Sequence, residues 1–248
     1  MKLLTVTWSY TEEYDYVDSF LYKSFIKHNS KDNFINIHFN RNLYLKLEED
    51  FKQRFGYQYE YILYKIFLLE PELKNLKNIS VDNVVIYADT NDVACLGNIS
   101  ELNTTFDSNS IVFSSERHKY PSQHTPWNKY PEHNEINSIF LNSGLFIGST
   151  SRIHELLQKC IDKVLCLEYK DFGGDQGVYT YAYINNIDNI ILDHDSRVFL
   201  STYLRAVNDF ECKDNRLINK SNNLSPLFIH DNGWNHGSPK FIEKFKLI

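Results

Sequence analysis

Val84-Val85-Ile86-Tyr87-Ala88-Asp89-Thr90-Asn91-Asp92 is an apolar, β-branched run stopped by two carboxylates. A run without polar alternation predicts a strand buried on both faces of a mostly parallel sheet. In open α/β sheets ligands gather beyond the carboxyl ends of the strands, which is where Asp89 and Asp92 would stand. Carboxylates that close repel, and a divalent cation is the ordinary means of neutralising them. The same residues also suit a plain polar turn, because Asp and Asn side chains hydrogen-bond their own backbone.

Around this strand, 248 residues suffice for one large α/β domain, and we read 1–248 as a single unit. Hydrophobic residues make up 42% and charged residues 23%, the balance of a soluble globular chain with a real core. Aromatic residues reach 15%, with 17 Tyr and 17 Phe, enough to line a groove as well as fill an interior. The net charge of −6 leaves no basic footprint for nucleic acid. No apolar stretch nears the roughly eighteen residues of a membrane span, and the run Leu3-Leu4-Thr5-Val6 is too short for a signal peptide. The expectation is a soluble chain without membrane insertion, cytoplasmic by default. Cys95, Cys160, Cys166 and Cys212 lack Cys-x-x-Cys spacing and read as buried free thiols, not zinc ligands.

Lys2–Thr7 reads as a first strand, with Trp8-Ser9-Tyr10-Thr11 as the loop at its end. Tyr16–His28 carries a helical rhythm at Val17, Phe20, Leu21 and Phe25, and Phe34–Phe39 alternates as a second strand. Helical patterns over Leu43–Phe55 and Tyr59–Leu69 are separated by Gly56 and closed by Pro71. Lys65, among apolar neighbours, reads first as an exposed helix charge. Ile99–Phe106 reads as a short helix and Ser110–Ser114 as a strand leading to Glu116. The Pro-, His- and aromatic-rich stretch Arg117–Asn137 is a long loop, the kind that carries function, with Trp127 either offering a flat face to a sugar or pinning the loop. Ile139–Gly148 reads as an apolar strand interrupted by Asn142-Ser143-Gly144, where a glycine marks close backbone approach. A helix over Ser151–Leu167, a turn at Gly173-Gly174, a helical Gly177–Tyr183 with Asp175 suited to capping it, and strands at Ile190–Leu192 and Leu227–Ile229 complete the pass. Lys213–Asn223 reads as a solvated loop.

Four strands are thus expected to end in polar clusters, at Asp89–Asp92, at Asn142–Gly144, near Asp175-Gln176 and at His230–Gly233. Assembled on one edge of a single sheet, they would give one site with two carboxylates and an imidazole. Oxygen ligands with one nitrogen suit Mn²⁺, and Mg²⁺ less well. A metal held by so few side chains keeps positions open for a diphosphate.

The ordered series Tyr87–Val93, Phe113–Glu116, Phe140–Gly148, Asp175-Gln176, Leu192–Phe199 and Ile229–Gly233 resembles the glycosyltransferase domain of the multifunctional procollagen lysyl hydroxylases, from about Lys2 to Gly233. The resemblance implies a GT-A fold, an α/β Rossmann-like arrangement with a mostly parallel central sheet flanked by helices. It implies retaining transfer of a hexose, glucose first, from UDP-glucose to galactosyl-hydroxylysine of collagen or a collagen-like protein, with metal ligands Asp89, Asp92 and His230. By position it places Thr7, Trp8, Lys65, Asp89, Thr90, Asn91, Ser143, Gly144, Gln176, Asn232 and Gly233 around the donor. It gives catalytic roles to Asp175, Asn142 and Glu116, and puts Glu116, Tyr120 and Trp127 beside the acceptor. Three residues depart from the family pattern: Asn91 where an aromatic could stack on uracil, Gly173-Gly174-Asp175 in place of a longer acidic run, and Asp231 in place of a glycine, adding charge beside the metal. The alternatives are the same transfer to another glycan or protein acceptor, a sugar-nucleotide hydrolase, and a sugar-nucleotide and metal-binding module without turnover. Homo-oligomerisation is left open.

Overall fold

The computed structural model describes residues 1–8, 16–56, 63–79, 83–104, 107–120, 130, 139–165, 173–214, 216–232 and 241–247. Along them run β1 (Lys2–Trp8), α1 (Phe20–Ile26), β2 (Phe34–Phe39), α2 (Arg41–Phe55), α3 (Tyr64–Ile79), β3 (Val84–Ala88), β4 (Val93–Cys95) and β5 (Ile111–Glu116). There follow β6 (Phe140–Ser149), α4 (Thr150–Lys159), α5 (Asp175–Ile184), β7 (Ile190–Asp193), β8 (Phe199–Ser201), β9 (Phe210–Lys213), β10 (Arg216–Asn219), β11 (Phe228–His230) and α6 (Phe241–Lys244).

β3 lies inside a six-stranded sheet ordered β2-β1-β3-β6-β5-β7. Tyr87 enters the core beneath α2, α3, α4 and α5, while Ile86 enters the core on the opposite face with Leu21 and Phe25 of α1. Burial on both faces is why the run carries no polar alternation. Five strands run in one direction, and β6 runs against both β3 and β5. An apolar run does not encode direction, so the sequence gives no sign of this reversal.

The reversal places Asn142-Ser143-Gly144 near the start of β6, level with the end of β3, where Ala88 pairs with Leu145. Between Phe113↔Phe146 and Ser114↔Asn142 the β5–β6 register jumps, so Ser143, Gly144 and Leu145 fall outside the β5 ladder. The strand is therefore not interrupted by these residues. It bulges through them, and a bulge re-aims its side chains.

A second sheet, ordered β4-β11-β8, packs against the α1 face through Val93, Cys95, Phe199 and Phe228. Ser24 of α1 fixes the junction, its hydroxyl accepting from the Cys95 N–H at 2.9 Å. His230 therefore comes from this second sheet, which corrects the expectation that all the polar clusters close strands of one sheet. The stretch read as a solvated loop instead contains the β9–β10 hairpin, whose Phe210 and Leu217 pack with Phe241 of α6. Cys95 and Cys160 are buried as expected, Cys212 is exposed, and Cys166 lies outside the described residues.

Helix ends follow local chemistry. Ser19, Asn40 and Ser149 cap α1, α2 and α4 by accepting from backbone N–H groups, and Gly56 ends α2 at φ 73°. The helix expected over Ser151–Leu167 is α-helical only to Lys159 and widens into a π turn over Cys160–Val164. α3 departs most from expectation, because it continues through Pro71 to Ile79. Proline leaves the carbonyl one turn back without its donor, yet Leu68, Leu69, Leu73 and Leu76 on both sides of it are buried, and that packing holds the helix together. Pro71→Ala restores the donor and is expected to raise the unfolding free energy by about 1–3 kcal/mol in a urea titration. An unchanged or lowered midpoint would show that the ring's own contacts outweigh the lost hydrogen bond.

Candidate functional site

The backbone N–H of Asp89 donates to the carbonyl of Gly144 at 2.9 Å, fixing the first residue after β3 against the β6 bulge. Thr90 closes the turn from below, its hydroxyl donating to the Val6 carbonyl at 2.9 Å and lying 2.7 Å from the Thr5 hydroxyl. The chain then enters β4, which pairs antiparallel with β11 so that Val93 lies opposite His230. This pairing carries the imidazole to the acids. His230 Nε2 lies 3.3 Å from Asp92 Oδ1 and 3.9 Å from Asp89 Oδ2. One donor atom from each of the three lies within 4.8 Å of the other two.

Two further residues shape this cluster. A Cβ on Gly144 would stand 2.2 Å from His230 Cε1 and 2.9 Å from Asp89 Oδ2, so only glycine fits the bulge there. Asn142 Oδ1 accepts from the Gly144 N–H at 3.1 Å and lies 2.9 Å from His230 Nδ1. That oxygen can only accept, so Nδ1 carries a hydrogen and Nε2 faces the two aspartates. Two carboxylates and an imidazole nitrogen in this arrangement fit a divalent cation of the Mn²⁺ type. Burial works against charge on His230, but Asp92 and then Asp89 outweigh it and hold the imidazole above its usual range. At Asp92 burial is likewise outweighed by His230, which holds that carboxyl below its usual range. The cluster favours positive charge between its members, whether as a proton or as a cation.

On the neighbouring wall, Gly173 and Gly174 turn the chain at φ 64° and 91°, conformations glycine adopts without strain, and α5 begins. Asp175 is the first helical residue, and Gly174 occupies the capping position without a side-chain bond, so the expected cap role for Asp175 does not occur. Its carboxylate is instead buried, 3.2 Å from Lys65 Nζ, which also lies 2.8 Å from Asp89 Oδ1. Lys65 is 9% exposed and is an ionic bridge between two acids, not a solvated helix charge. Tyr87 supports the same carboxylate, its hydroxyl donating to Asp89 Oδ1 at 2.8 Å. Burial raises the Asp175 pKa, and Lys65 offsets only part of the rise.

A cleft of about 320 Å³ opens over these groups, lined by Lys65, Asp89, Asp175 and His230 together with Glu116, His118, Tyr120 and Tyr203. The His118 ring meets Tyr203 edge to face at 4.8 Å and lies parallel to Tyr120 at 6.4 Å between centroids. Glu116 is buried and takes amide hydrogen bonds from Gln176 at 2.6 Å and Asn232 at 2.7 Å. Burial pushes its pKa up to about 7, with those donors and His230 pulling the other way.

The remaining expected residues divide. Ser143 joins the cleft and donates its N–H to Gln176 Oε1 at 3.3 Å. Thr7 and Thr90 have their hydroxyls turned into the fold, Thr7 donating to Asn36 Oδ1 at 2.6 Å. Trp8 ends β1 opposite Phe39, and Asn91 is exposed on the turn. Gly233 and Trp127 lie outside the described residues. Asp231 supplies no donor atom to the candidate cation cluster, although its charge and that of Asp92 interact. Its carboxylate accepts from the Thr202 hydroxyl at 2.8 Å and from the Ile242 N–H at 3.3 Å, tying β8 to the start of α6. Tyr203 and His118 were missed. Each is an aromatic in a polar loop with no periodic neighbour to mark it, and only the approach of the β8 and β5 ends brings them together.

The family model described as PLOD GT domain matches residues 48–241. The chain belongs to the PLOD GT domain family. Among curated proteins it is 29% identical over 163 residues to the human multifunctional procollagen lysine hydroxylase and glycosyltransferase LH3, covering 61% of this chain and 21% of that protein. It is 27% identical over 181 residues to the Drosophila melanogaster procollagen-lysine,2-oxoglutarate 5-dioxygenase, covering 68% and 24%. It is 28% identical over 162 residues to uncharacterized protein R699 of Acanthamoeba polyphaga mimivirus, covering 64% and 33%. The PLOD GT chain thus matches a fifth to a third of the length of these relatives. In fold it is similar to mouse xyloside xylosyltransferase 1 (TM-score 0.54, 13% identity, 96% of this chain and 98% of that one) and to the bifunctional glycosyltransferase WbbM (0.55, 10%, 94% and 45%). The PLOD GT domain here has the GT-A fold.

Two variants separate site from scaffold in this PLOD GT domain. Gly144→Ala is expected to lower Mn²⁺ affinity at least tenfold by calorimetry with the circular dichroism spectrum unchanged, since the methyl displaces His230 or Asp89. Asp231→Ala is expected to lower stability by about 1–3 kcal/mol in denaturant, through the Thr202 and Ile242 bonds, while Mn²⁺ affinity stays within about twofold.

Proposed function

We propose that this chain transfers a hexose, glucose first, from a UDP-sugar to galactosyl-hydroxylysine of a collagen or collagen-like protein, with retention, using Mn²⁺ at Asp89, Asp92 and His230. The observation that carries the reading is the convergence of those three side chains beside the Lys65–Asp175 pair in one cleft of a PLOD GT domain. The collagen acceptor rests on the relatives named as procollagen-modifying enzymes.

In this reading Asp89, Asp92 and His230 would hold a divalent cation, which would supply positive charge to a departing diphosphate. Lys65, already between Asp89 and Asp175, adds a second positive charge beside it. Asp175 faces the sugar and stabilises the positive charge that grows at the anomeric carbon. Its burial removes competing water, which strengthens that interaction. Thr7 and Trp8, at the end of β1, lie on the side where the nucleotide base is proposed to sit, with Asn91 in reach of the same region. His118, Tyr120 and Tyr203 form the wall against which a glycosylated acceptor rests, aromatic faces being suited to the apolar side of a pyranose.

The test is incubation with Mn²⁺ and either UDP-glucose or UDP-galactose, with and without a deglucosylated collagen peptide, reading free UDP and peptide mass. Hexose addition that requires the peptide supports the proposal. UDP release regardless of peptide would identify a hydrolase, no UDP release with donor bound would identify a binding module, and transfer only to another acceptor would overturn the collagen assignment. Asp89→Asn is expected to reduce turnover at least a thousandfold with the fold retained, because Asp89 both faces the cation and anchors Lys65. Activity within tenfold of the parent would remove metal catalysis from the reading.

A further inference from the structure

Glu116 stands at the end of β5, 3% exposed, and is met by two side-chain amides. Gln176 Nε2 donates to its Oε1 at 2.6 Å and Asn232 Nδ2 donates to its Oε2 at 2.7 Å. The other end of each amide is committed to a backbone N–H. Gln176 Oε1 accepts from Ser143 at 3.3 Å and Asn232 Oδ1 from Tyr203 at 3.2 Å.

A backbone N–H can only donate. The orientation of both amides is therefore set from outside, and each turns its NH₂ inward. A group that accepts from both suits the place between them, and an ionised carboxylate presents one acceptor oxygen to each. These donors favour its charged form against the burial that pushes the Glu116 pKa up to about 7.

We propose that Glu116 is a positioning residue, an acceptor hub that orients Gln176 and Asn232 and through them the α5 start and the Tyr203 wall. The hub itself needs neither a cation nor a reaction.

Glu116→Gln keeps the shape and replaces one acceptor with a donor. Turning Gln176 or Asn232 to meet that donor would set its NH₂ against the N–H of Ser143 or Tyr203. Amide exchange at Ser143 or Tyr203 is expected to quicken at least tenfold. Moving the charge outward restores the pattern. In E116Q/Q176E and E116Q/N232D the relocated carboxylate accepts from the backbone N–H on one side and from position 116 on the other. At least one double variant is expected to regain exchange protection to within threefold of the parent, which a role in mere packing does not foresee. Parent-like protection in E116Q, or two double variants as impaired as E116Q, overturns the hub. If E116Q alone does not fold, recovery of the folded spectrum in a double variant supports the hub and failure in both overturns it.

Discussion

Asp89, Asp175 and Glu116 line one small cleft, Asp92 meets Asp89 across His230, and the structure around them is arranged to hold four acids together. Two like charges about 4 Å apart repel by about 4 kcal/mol at the effective dielectric of a protein surface, and burial adds a desolvation penalty to each. The fold compensates each acid differently. Lys65 bridges Asp89 and Asp175, His230 faces Asp92, and two amides hold Glu116. Setting Glu116 aside with its amides, three carboxylates share one ammonium and one imidazole, so negative charge is left over unless a cation or a proton enters. That residue of charge is the physical basis for an affinity that no one of these side chains would supply alone.

Holding the acids in register falls to β6. In an all-parallel sheet Asn142, Ser143 and Gly144 would sit too early in their strand to meet the end of β3. Running β6 backwards brings them level with Asp89, and the jump in the β5 ladder frees Gly144 to approach His230 and Asp89 more closely than any Cβ allows. One departure from regularity thus supplies a carbonyl for the Asp89 N–H, an oxygen for His230 Nδ1 and an N–H for Gln176. Regular pairing could not present all three to one cleft.

What the sequence disclosed follows from the same physics. β3 was legible because burial on both faces leaves an unbroken apolar run, and the acids after it because nothing apolar competes at a strand end. The metal cluster was legible as residue types in order, since Asp-x-x-Asp and a distant His-x-Asn survive as letters whatever sheet they lie on. Strand direction, the second sheet and the hairpin were not, because β4, β8 and β11 are each three residues long and carry no measurable period. Pro71 misled for the opposite reason: its local rule is strong, but buried leucines on both sides override it. Asp231 illustrates the limit of adjacency, being next to a metal candidate in the chain and yet turned by Thr202 and α6 toward the scaffold.

The candidate cation site lies at the seam between the two sheets. Asp89 belongs to the end of the large sheet, His230 to the small one, and Asp92 to the link between them, so the three donors converge only when the sheets are docked. That docking is secured elsewhere, by Ser24 against Cys95 and by the apolar contacts of Phe25, Phe199 and Phe228. A ligand that binds only the docked form stabilises it by an amount that grows with the logarithm of ligand concentration over its dissociation constant. A cation bound at this seam would therefore act on the whole arrangement, holding His230 and the chain that follows it, Asn232 included, against the sheet that carries Glu116.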